Sequence, residues 1–129
     1  MRVFVDSNVF VASLTNEPSR GDVATKFLNR DFEFCTSILN LMEIRSVMTK
    51  KKRIEQDEVE RVLDDIADRV DIFAPDTTDQ IEAYKQQRST VLYTLDCVLL
   101  TLSDDVDATL VTFDSELLDH GGVNPAEFL

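Results

Sequence analysis

Residues 2–6 have the sequence Arg-Val-Phe-Val-Asp, a short apolar run that ends at a carboxylate. Residues 108–114, Ala-Thr-Leu-Val-Thr-Phe-Asp, show the same pattern far along the chain. Short continuous apolar runs are typical of strands that are buried on both faces of a parallel sheet. The two stretches therefore predict strands over residues 2–5 and 108–113, each followed at once by an aspartate.

Helical and strand patterns alternate between these two stretches. The clearest helix covers residues 55–69, where apolar side chains recur at the helical period. Helix 76–88 is expected to turn Ile81 and Tyr84 toward the core. Weaker patterns predict helices over residues 7–14, 20–29, 37–50, 96–103 and 114–118, and strands over 32–35 and 71–73. The alternation predicts an α/β fold with a mostly parallel central sheet.

Length and composition set limits on the class of protein. The 129 residues predict a single domain over residues 1–129. No apolar run approaches the ~20 residues of a membrane span and no signal peptide is visible, so we expect a soluble, cytoplasmic protein without membrane contact. Cys35 and Cys97 are too few for a disulfide framework or a thiolate zinc site. A single histidine, His120, excludes His-rich metal centres and is expected to lie in a loop.

The acidic balance initially argues against a nucleic-acid-binding protein. The chain has 13 Lys+Arg against 25 Asp+Glu, a net charge of −12. Phosphate binding draws most of its affinity from basic surface, which this chain has in short supply. Most of the acids are expected on a solvated surface, as in halophilic proteins. A few, however, stand where the hydrophobic pattern would not place them.

Four carboxylates form this second group. Asp6 and Asp114 end parallel strands and should emerge at the same edge of the sheet. Glu43 lies within an apolar helical stripe, and Asp96 stands at the head of the apolar run 97–100. Each has an ordinary alternative, a helix N-cap for the aspartates and a solvent-reaching edge position for the glutamate. A hard divalent cation, Mg²⁺ or Mn²⁺, would explain all four together because it takes oxygen ligands.

The sequences around these acids resemble the motifs of PIN-domain nucleases, and in size and layout those of the VapC-like toxins of type II toxin–antitoxin systems. The resemblance spans essentially the whole chain. It implies a three-layer α/β/α sandwich, a Mg²⁺- or Mn²⁺-dependent endoribonuclease that acts on RNA, a homodimer and a cognate antitoxin. It is carried by Asp6-Ser7-Asn8, Leu41-Met42-Glu43-Ile44-Arg45, Asp96-Cys97-Val98-Leu99 and Val111-Thr112-Phe113-Asp114.

The resemblance also implies roles for individual residues. The four acids would form a catalytic, metal-binding quartet. Two of them would be central ligands of the metal, and the other two would complete the site directly or through water. Asn8 and Thr112 match positions that support these acids by hydrogen bonds, although they would equally be ordinary turn and strand residues. The central pair would be Asp6 and Asp96, and the completing pair Glu43 and Asp114.

One departure from the family pattern leaves a second function open. Relatives usually carry small residues after the third acid, whereas this chain has Val98-Leu99-Leu100. The change puts the shape of the substrate cleft in doubt, so the alternative is a catalytically silent PIN-like domain that binds RNA or protein. Phosphotransfer proteins of similar architecture rank lower, because the first strand is followed by Asp6-Ser7-Asn8 and no lysine follows Lys85.

Basic residues are concentrated in one segment. Lys50, Lys51, Lys52 and Arg53 follow Glu43 along the same predicted helix, and Arg45 lies nearer to it. They are candidates for contacts with RNA phosphates. They would equally serve as cations that complement the helix dipole at its C-terminal end.

Overall fold

The computed structural model describes residues 1–129 and contains one sheet of four parallel strands in the order β3-β2-β1-β4. The strands are β1 (Arg2–Val5), β2 (Glu33–Ser37), β3 (Asp71–Phe73) and β4 (Thr109–Val111). The helices are α1 (Ser7–Leu14), α2 (Arg20–Leu28), α3 (Ile38–Ser46), α4 (Gln56–Arg69), α5 (Thr77–Thr90), α6 (Thr94–Asp105) and α7 (Ser115–Leu118). A π-helical turn (Val47–Lys51) continues α3, and a 3₁₀ turn covers Pro125–Phe128. The predicted α/β fold is confirmed.

Alternate residues of β1 point to opposite faces of the sheet, as the strand period requires. Val3 and Val5 pack in a core cluster that draws the rest of its members mainly from α1 to α4. Phe4 packs in a second cluster with Leu99 of α6 and Leu117 of α7. Both faces of the sheet are thus covered by helices, which confirms the three-layer α/β/α sandwich.

The strand order places a crevice at the carboxyl end of β1. After β1 the chain moves to β2 and β3 on one side, and it returns to the other side of β1 only at β4. Ligands of open parallel sheets bind where the strand order reverses in this way. The Asp6 N–H donates to the Val111 carbonyl at 3.0 Å, which extends the pairing of β1 with β4 to the first residue beyond β1. The first acid therefore lies at the reversal point.

The prediction that Ile81 and Tyr84 face the core is wrong. Their side chains are 50% and 78% exposed, whereas Asp79 and Ala83 on the same helix are buried. Helix α5 packs mainly against α6. Because that contact lies on the Asp79–Ala83 side of the helix, the larger apolar side chains point away from the sandwich.

Two element boundaries differ from the predicted ones. Strand β2 continues to Ser37 rather than ending at residue 35, because residues 35–37 pair with β3 and the Thr36 hydroxyl donates to the Val5 carbonyl at 2.7 Å. The helix predicted to continue to about residue 50 is α-helical only to Ser46. Its last turn is π-helical, with the Lys52 N–H bonded to the Val47 carbonyl at 3.0 Å.

Other predictions made from single residues agree with the structure. His120 is exposed in a turn after α7. Cys35 and Cys97 are both buried free thiols. None of the helices combines the length and the apolar character that a membrane crossing requires.

Candidate active site

The four acids singled out by the sequence line one cavity of about 380 Å³. Asp6 follows β1 and Asp114 follows β4, so the neighbouring ends of these two strands supply them. Glu43 reaches the cavity from α3, and Asp96 reaches it from the first turn of α6. The structure therefore brings together carboxylates from four separate elements.

Asp6 is the most deeply buried of these acids, at 6% exposure, and hydrogen bonds hold both of its oxygens. Its Oδ1 accepts from the Ser7 N–H at 2.7 Å and from the Asn40 side-chain amide at 3.3 Å. Its Oδ2 accepts from the Thr112 hydroxyl at 2.8 Å and from the Asn8 amide at 3.5 Å. A buried carboxylate needs such donors to remain ionised, and these donors also fix its orientation.

Asn8 and Thr112 belong to one hydrogen-bonded network with the strand-end acids. The Asn8 amide donates to the Thr112 hydroxyl at 3.2 Å, while its Oδ1 accepts from the Phe113 N–H at 3.2 Å. The Thr112 hydroxyl also accepts from the Asp114 N–H at 3.0 Å. Two polar side chains thus connect Asp6 to the backbone that leads into Asp114.

Asn40 was missed by the sequence reasoning. It is fully buried and completes a capping box with Ser37, whose hydroxyl donates to Asn40 Oδ1 at 2.6 Å. Its amide nitrogen donates to the Ser7 hydroxyl at 2.9 Å as well as to Asp6. The Ser-x-x-Asn spacing at the start of α3 was the only available signal, and it indicates a helix cap rather than a site residue.

The ordinary roles of the four acids are only partly present. Asp6 is the N-cap of α1, and Asp114 caps α7 through Oδ1, which accepts from the Glu116 and Leu117 N–H groups at 2.8 and 3.3 Å. Asp96 is the third residue of α6 and caps nothing, so the N-cap alternative is wrong for it. Glu43 is half-buried and has neither a hydrogen bond nor an ion pair through its side chain. Capping therefore accounts for some of the carboxylate oxygens but not for the convergence of four acids.

Burial and mutual repulsion raise the pKa of two of the acids. Burial is the largest cause for Asp6, whose pKa is raised to about 6; bonds from Thr112 and Ser7 oppose the rise, and the charges of Glu43 and Asp96 add to it. The pKa of Asp96 is also raised to about 6, by burial and then by neighbouring acids, of which Asp114 is the strongest. The cavity thus holds negative charges that disfavour one another.

The donor set of the cavity fits a hard divalent cation. None of the four acids forms an ion pair, since the chain's salt bridges join Arg2–Glu33, Arg45–Glu60, Arg69–Asp65 and Lys85–Glu82. All the ligand atoms on offer are oxygens, which Mg²⁺ and Mn²⁺ prefer. No three His, Cys, Asp or Glu side chains lie close enough together to form a ready-made metal site. The chemistry of the donors fits the ion, although the side chains are not already gathered around a single point.

Comparison with known proteins identifies the family. The sequence profile of the PIN domain matches residues 3–123. The chain belongs to the PIN domain family. No relative was found among curated proteins by sequence.

Solved structures share the architecture of this PIN domain. The sarcin-ricin-loop-cleaving toxin VapC20 of Mycobacterium tuberculosis superposes with a TM-score of 0.80 at 14% identity, over 94% of this chain and 96% of that one. A toxin–antitoxin complex from Klebsiella pneumoniae gives 0.74 at 17% identity, over 95% and 97%. VapBC-1 from nontypeable Haemophilus influenzae gives 0.72 at 13% identity, over 97% and 98%. At these identities the likeness is one of fold.

The basic segment of this PIN domain, residues 50–53, lies partly in the cavity and partly outside it. Lys51 and Lys52 line the cavity with the acids, whereas Lys50 and Arg53 are exposed outside it. Arg45 points elsewhere, because its Nε and Nη2 both donate to Glu60 at 2.7 Å. Two further cavity residues were missed by the sequence reasoning, the carboxylate of Glu17 and the guanidinium of Arg20.

The large residues that follow Asp96, where relatives usually carry small ones, do not change the shape of this cavity. Val98 and Leu99 are buried in core clusters behind the helix, and Leu100 is half-buried against the same clusters. None of the three lines the cavity, in which Leu95 is the apolar neighbour of Asp96. The larger side chains therefore fill the core rather than the cleft.

The raised pKa of Asp6 predicts a measurable pH dependence of stability. An acid whose pKa is higher in the folded than in the unfolded chain makes the free energy of unfolding fall as pH rises from about 4 through about 6. Without divalent cations, Asp6→Asn should therefore remove about 1.4 kcal/mol of the stability lost between pH 5 and pH 7.5. Urea unfolding of both proteins in EDTA measures this difference.

The matched control for this prediction is Asp31→Asn, which makes the same charge change at an exposed position. Its pH profile should run parallel to that of the parent. Parallel profiles for the parent and Asp6→Asn would instead show that the Asp6 carboxylate is not under strain in the folded chain.

Proposed function

We propose that this protein is a Mg²⁺- or Mn²⁺-dependent endoribonuclease that hydrolyses RNA phosphodiester bonds as the toxin of a toxin–antitoxin pair. The observation that carries the proposal is Asp6, a buried carboxylate at the strand-order reversal that is held by four donors, shares its cavity with other acids and forms no ion pair. Membership of the PIN domain family supports nuclease activity. The toxin VapC20, which shares the fold and cleaves the sarcin-ricin loop, supports RNA as the substrate.

In this proposal, Asp6 and Asp96 are the central ligands of the cation, and Glu43 and Asp114 complete the site directly or through water. A cation bound there would stabilise charge on the phosphate and lower the pKa of its bound water. The chain itself fixes the ligand geometry, because the donors to Asp6 leave that side chain a single orientation. Asp114 Oδ1 accepts the two N–H donors that cap α7, whereas its Oδ2 accepts no hydrogen bond from the chain.

Removing one central charge should abolish cleavage. Asp6→Asn and Asp96→Asn each remove a proposed ligand charge, and we expect each to lower the rate of RNA cleavage in Mg²⁺ or Mn²⁺ by at least about 100-fold. Cleavage by the parent should stop when EDTA is added. Gel analysis of a labelled RNA with time measures these rates.

The control for the cleavage experiment is again Asp31→Asn, which should cleave like the parent. If Asp6→Asn and Asp96→Asn both retained the parent's rate, the assigned site would be wrong. A DNA strand of the same sequence, incubated in parallel, tests the proposed preference for RNA.

A catalytically silent PIN domain is the second candidate, and one observation favours it. The acids of the cavity are not close enough together in this structure to form a ready-made metal site. The two candidates differ in their affinity for a cation alone. Isothermal titration with Mn²⁺ should give one saturable binding event for the parent and none for Asp6→Asn; a parent that binds no Mn²⁺ would favour the silent domain.

The proposal includes partners and a cellular location. Solved structures with this fold include a toxin–antitoxin complex and VapBC-1, so we propose that a cognate antitoxin binds this chain and inhibits it. A nuclease that acts on cellular RNA would work in the cytoplasm, as one domain over residues 1–129. The proposed partners are RNA, the antitoxin and a second copy of the chain.

The proposed homodimer has a surface that could form it. Four apolar residues of α5 and the segment after it, Ile81, Tyr84, Val91 and Tyr93, are 50–83% exposed, and we propose that they form this face. Sedimentation velocity of the parent should give a mass that is twice the 14.7 kDa of one chain. Tyr84→Lys with Tyr93→Lys should shift it to a monomer, because charged groups would be buried in the contact.

The matched control for the dimer is Leu14→Lys, which adds a charge at an exposed apolar residue on α1. This variant should sediment with the same mass as the parent. A monomeric parent, or a double variant that sediments like the parent, would contradict a dimer formed through this face.

A further inference from the structure

The acidic cavity has an exposed basic rim made of Arg20, Lys51 and Lys52. None of the three forms a salt bridge or donates a side-chain hydrogen bond, although the chain carries 25 acidic residues and the cavity alone is lined by five. An unpaired cation beside so many carboxylates retains its full capacity to bind an anion.

Arg20, the first residue of α2, is held by an aromatic ring rather than by an acid. Its guanidinium carbon lies 5.2 Å from the centroid of the Phe113 ring. Phe113 is itself buried, and its N–H donates to Asn8 within the network that holds Asp6. Stacking of this kind positions a guanidinium while leaving its N–H groups free to bind another partner.

Lys51 and Lys52 reach the rim from a different wall of the cavity. They end the π-helical turn that follows α3, and Val47 lines the cavity one turn earlier. Lys51 is the last residue of that turn and Lys52 follows it as the cap, and both side chains are exposed. Single π-helical turns of this kind are frequent at functional sites.

We infer that Arg20 and the Lys51–Lys52 pair bind backbone phosphates of single-stranded RNA on the nucleotides next to the bond that is cleaved. The inference rests on the proposed function and adds the path of the substrate across the cavity. Arginine donors bind phosphate with fork geometry, and lysines bind it as point charges. The buried acids would face the cleaved phosphate, while the exposed cations on two walls would hold its neighbours.

The test measures RNA binding without cleavage. A fluorescein-labelled single-stranded RNA is titrated with the parent, Arg20→Ala, Arg20→Lys and Lys51→Ala/Lys52→Ala in EDTA, by anisotropy at several salt concentrations. Arg20→Ala should weaken binding about tenfold and reduce the slope of log K against log salt by about 0.7, the value for one phosphate contact on a single strand. The double lysine variant should reduce the slope by about twice as much.

Two further measurements separate phosphate binding from a structural role. Arg20→Lys should restore the parent's salt slope, since it restores the charge. In cleavage assays with Mn²⁺, Arg20→Ala should raise KM about tenfold and leave kcat unchanged, as expected for a contact that is equally strong before and during the reaction. The control is Arg30→Ala, an equal charge change at an exposed position just after α2, which should match the parent.

The outcomes distinguish this inference from the proposed function. If the parent cleaves RNA while Arg20→Ala matches Arg30→Ala in salt slope and KM, the inference is overturned and the function stands. If the parent neither binds RNA in EDTA nor cleaves it with Mn²⁺, both are overturned. If Arg20→Ala binds RNA like the parent but binds Mn²⁺ more tightly, Arg20 serves to balance the acids and the inference is again overturned.

Discussion

The fold depends on keeping one carboxylate satisfied at the end of its central strand. Burying an ionised group without partners costs several kcal/mol, so Asp6 requires donors from the structure around it. Those donors come from the start of α1, from Asn40 at the start of α3 and from Thr112 just beyond β4. One side chain therefore ties together segments that are distant in sequence, and every buried side-chain polar atom has a partner. The same bonds that stabilise the sandwich also orient the acid that faces the cavity.

Much of this arrangement could be predicted from the sequence, because it follows from strand geometry. Two apolar strands that each end at an aspartate predict a shared sheet edge, since parallel strands end on the same side. The contribution of Asn40 was not predictable, because its reach to Asp6 depends on how β1 pairs with β2. Nor does a helical period reveal what covers an apolar side chain, so Ile81 and Tyr84 were placed in the core although they lie on the surface.

The basic segment shows a different limit of sequence reasoning. Residues 50–53 form one uniform block in the sequence, but only Lys51 and Lys52, at the end of the π-helical turn, line the cavity. Arg45 is removed from the set by Glu60, an exposed partner on another helix. Arg20 carried no signal at all, because the ring that holds it belongs to Phe113, far along the chain. Charge identity is visible in a sequence, whereas the direction of each charge is decided by tertiary contacts.

The net charge of −12 consequently says little about the local field at the cavity. Ion pairing between the rim and the centre would neutralise both and leave nothing to attract a cation or a phosphate. The structure avoids this by holding Arg20 on a ring and the lysines at the end of a turn, while Asp6 takes neutral donors. The charges are thereby separated by depth, with Asp6 buried and the other acids half-buried at the centre, and with exposed cations at the rim. A divalent cation at the centre would relieve the repulsion between the acids there and would add to the positive charge of the rim. A strongly acidic protein would then attract an anionic substrate at one place only.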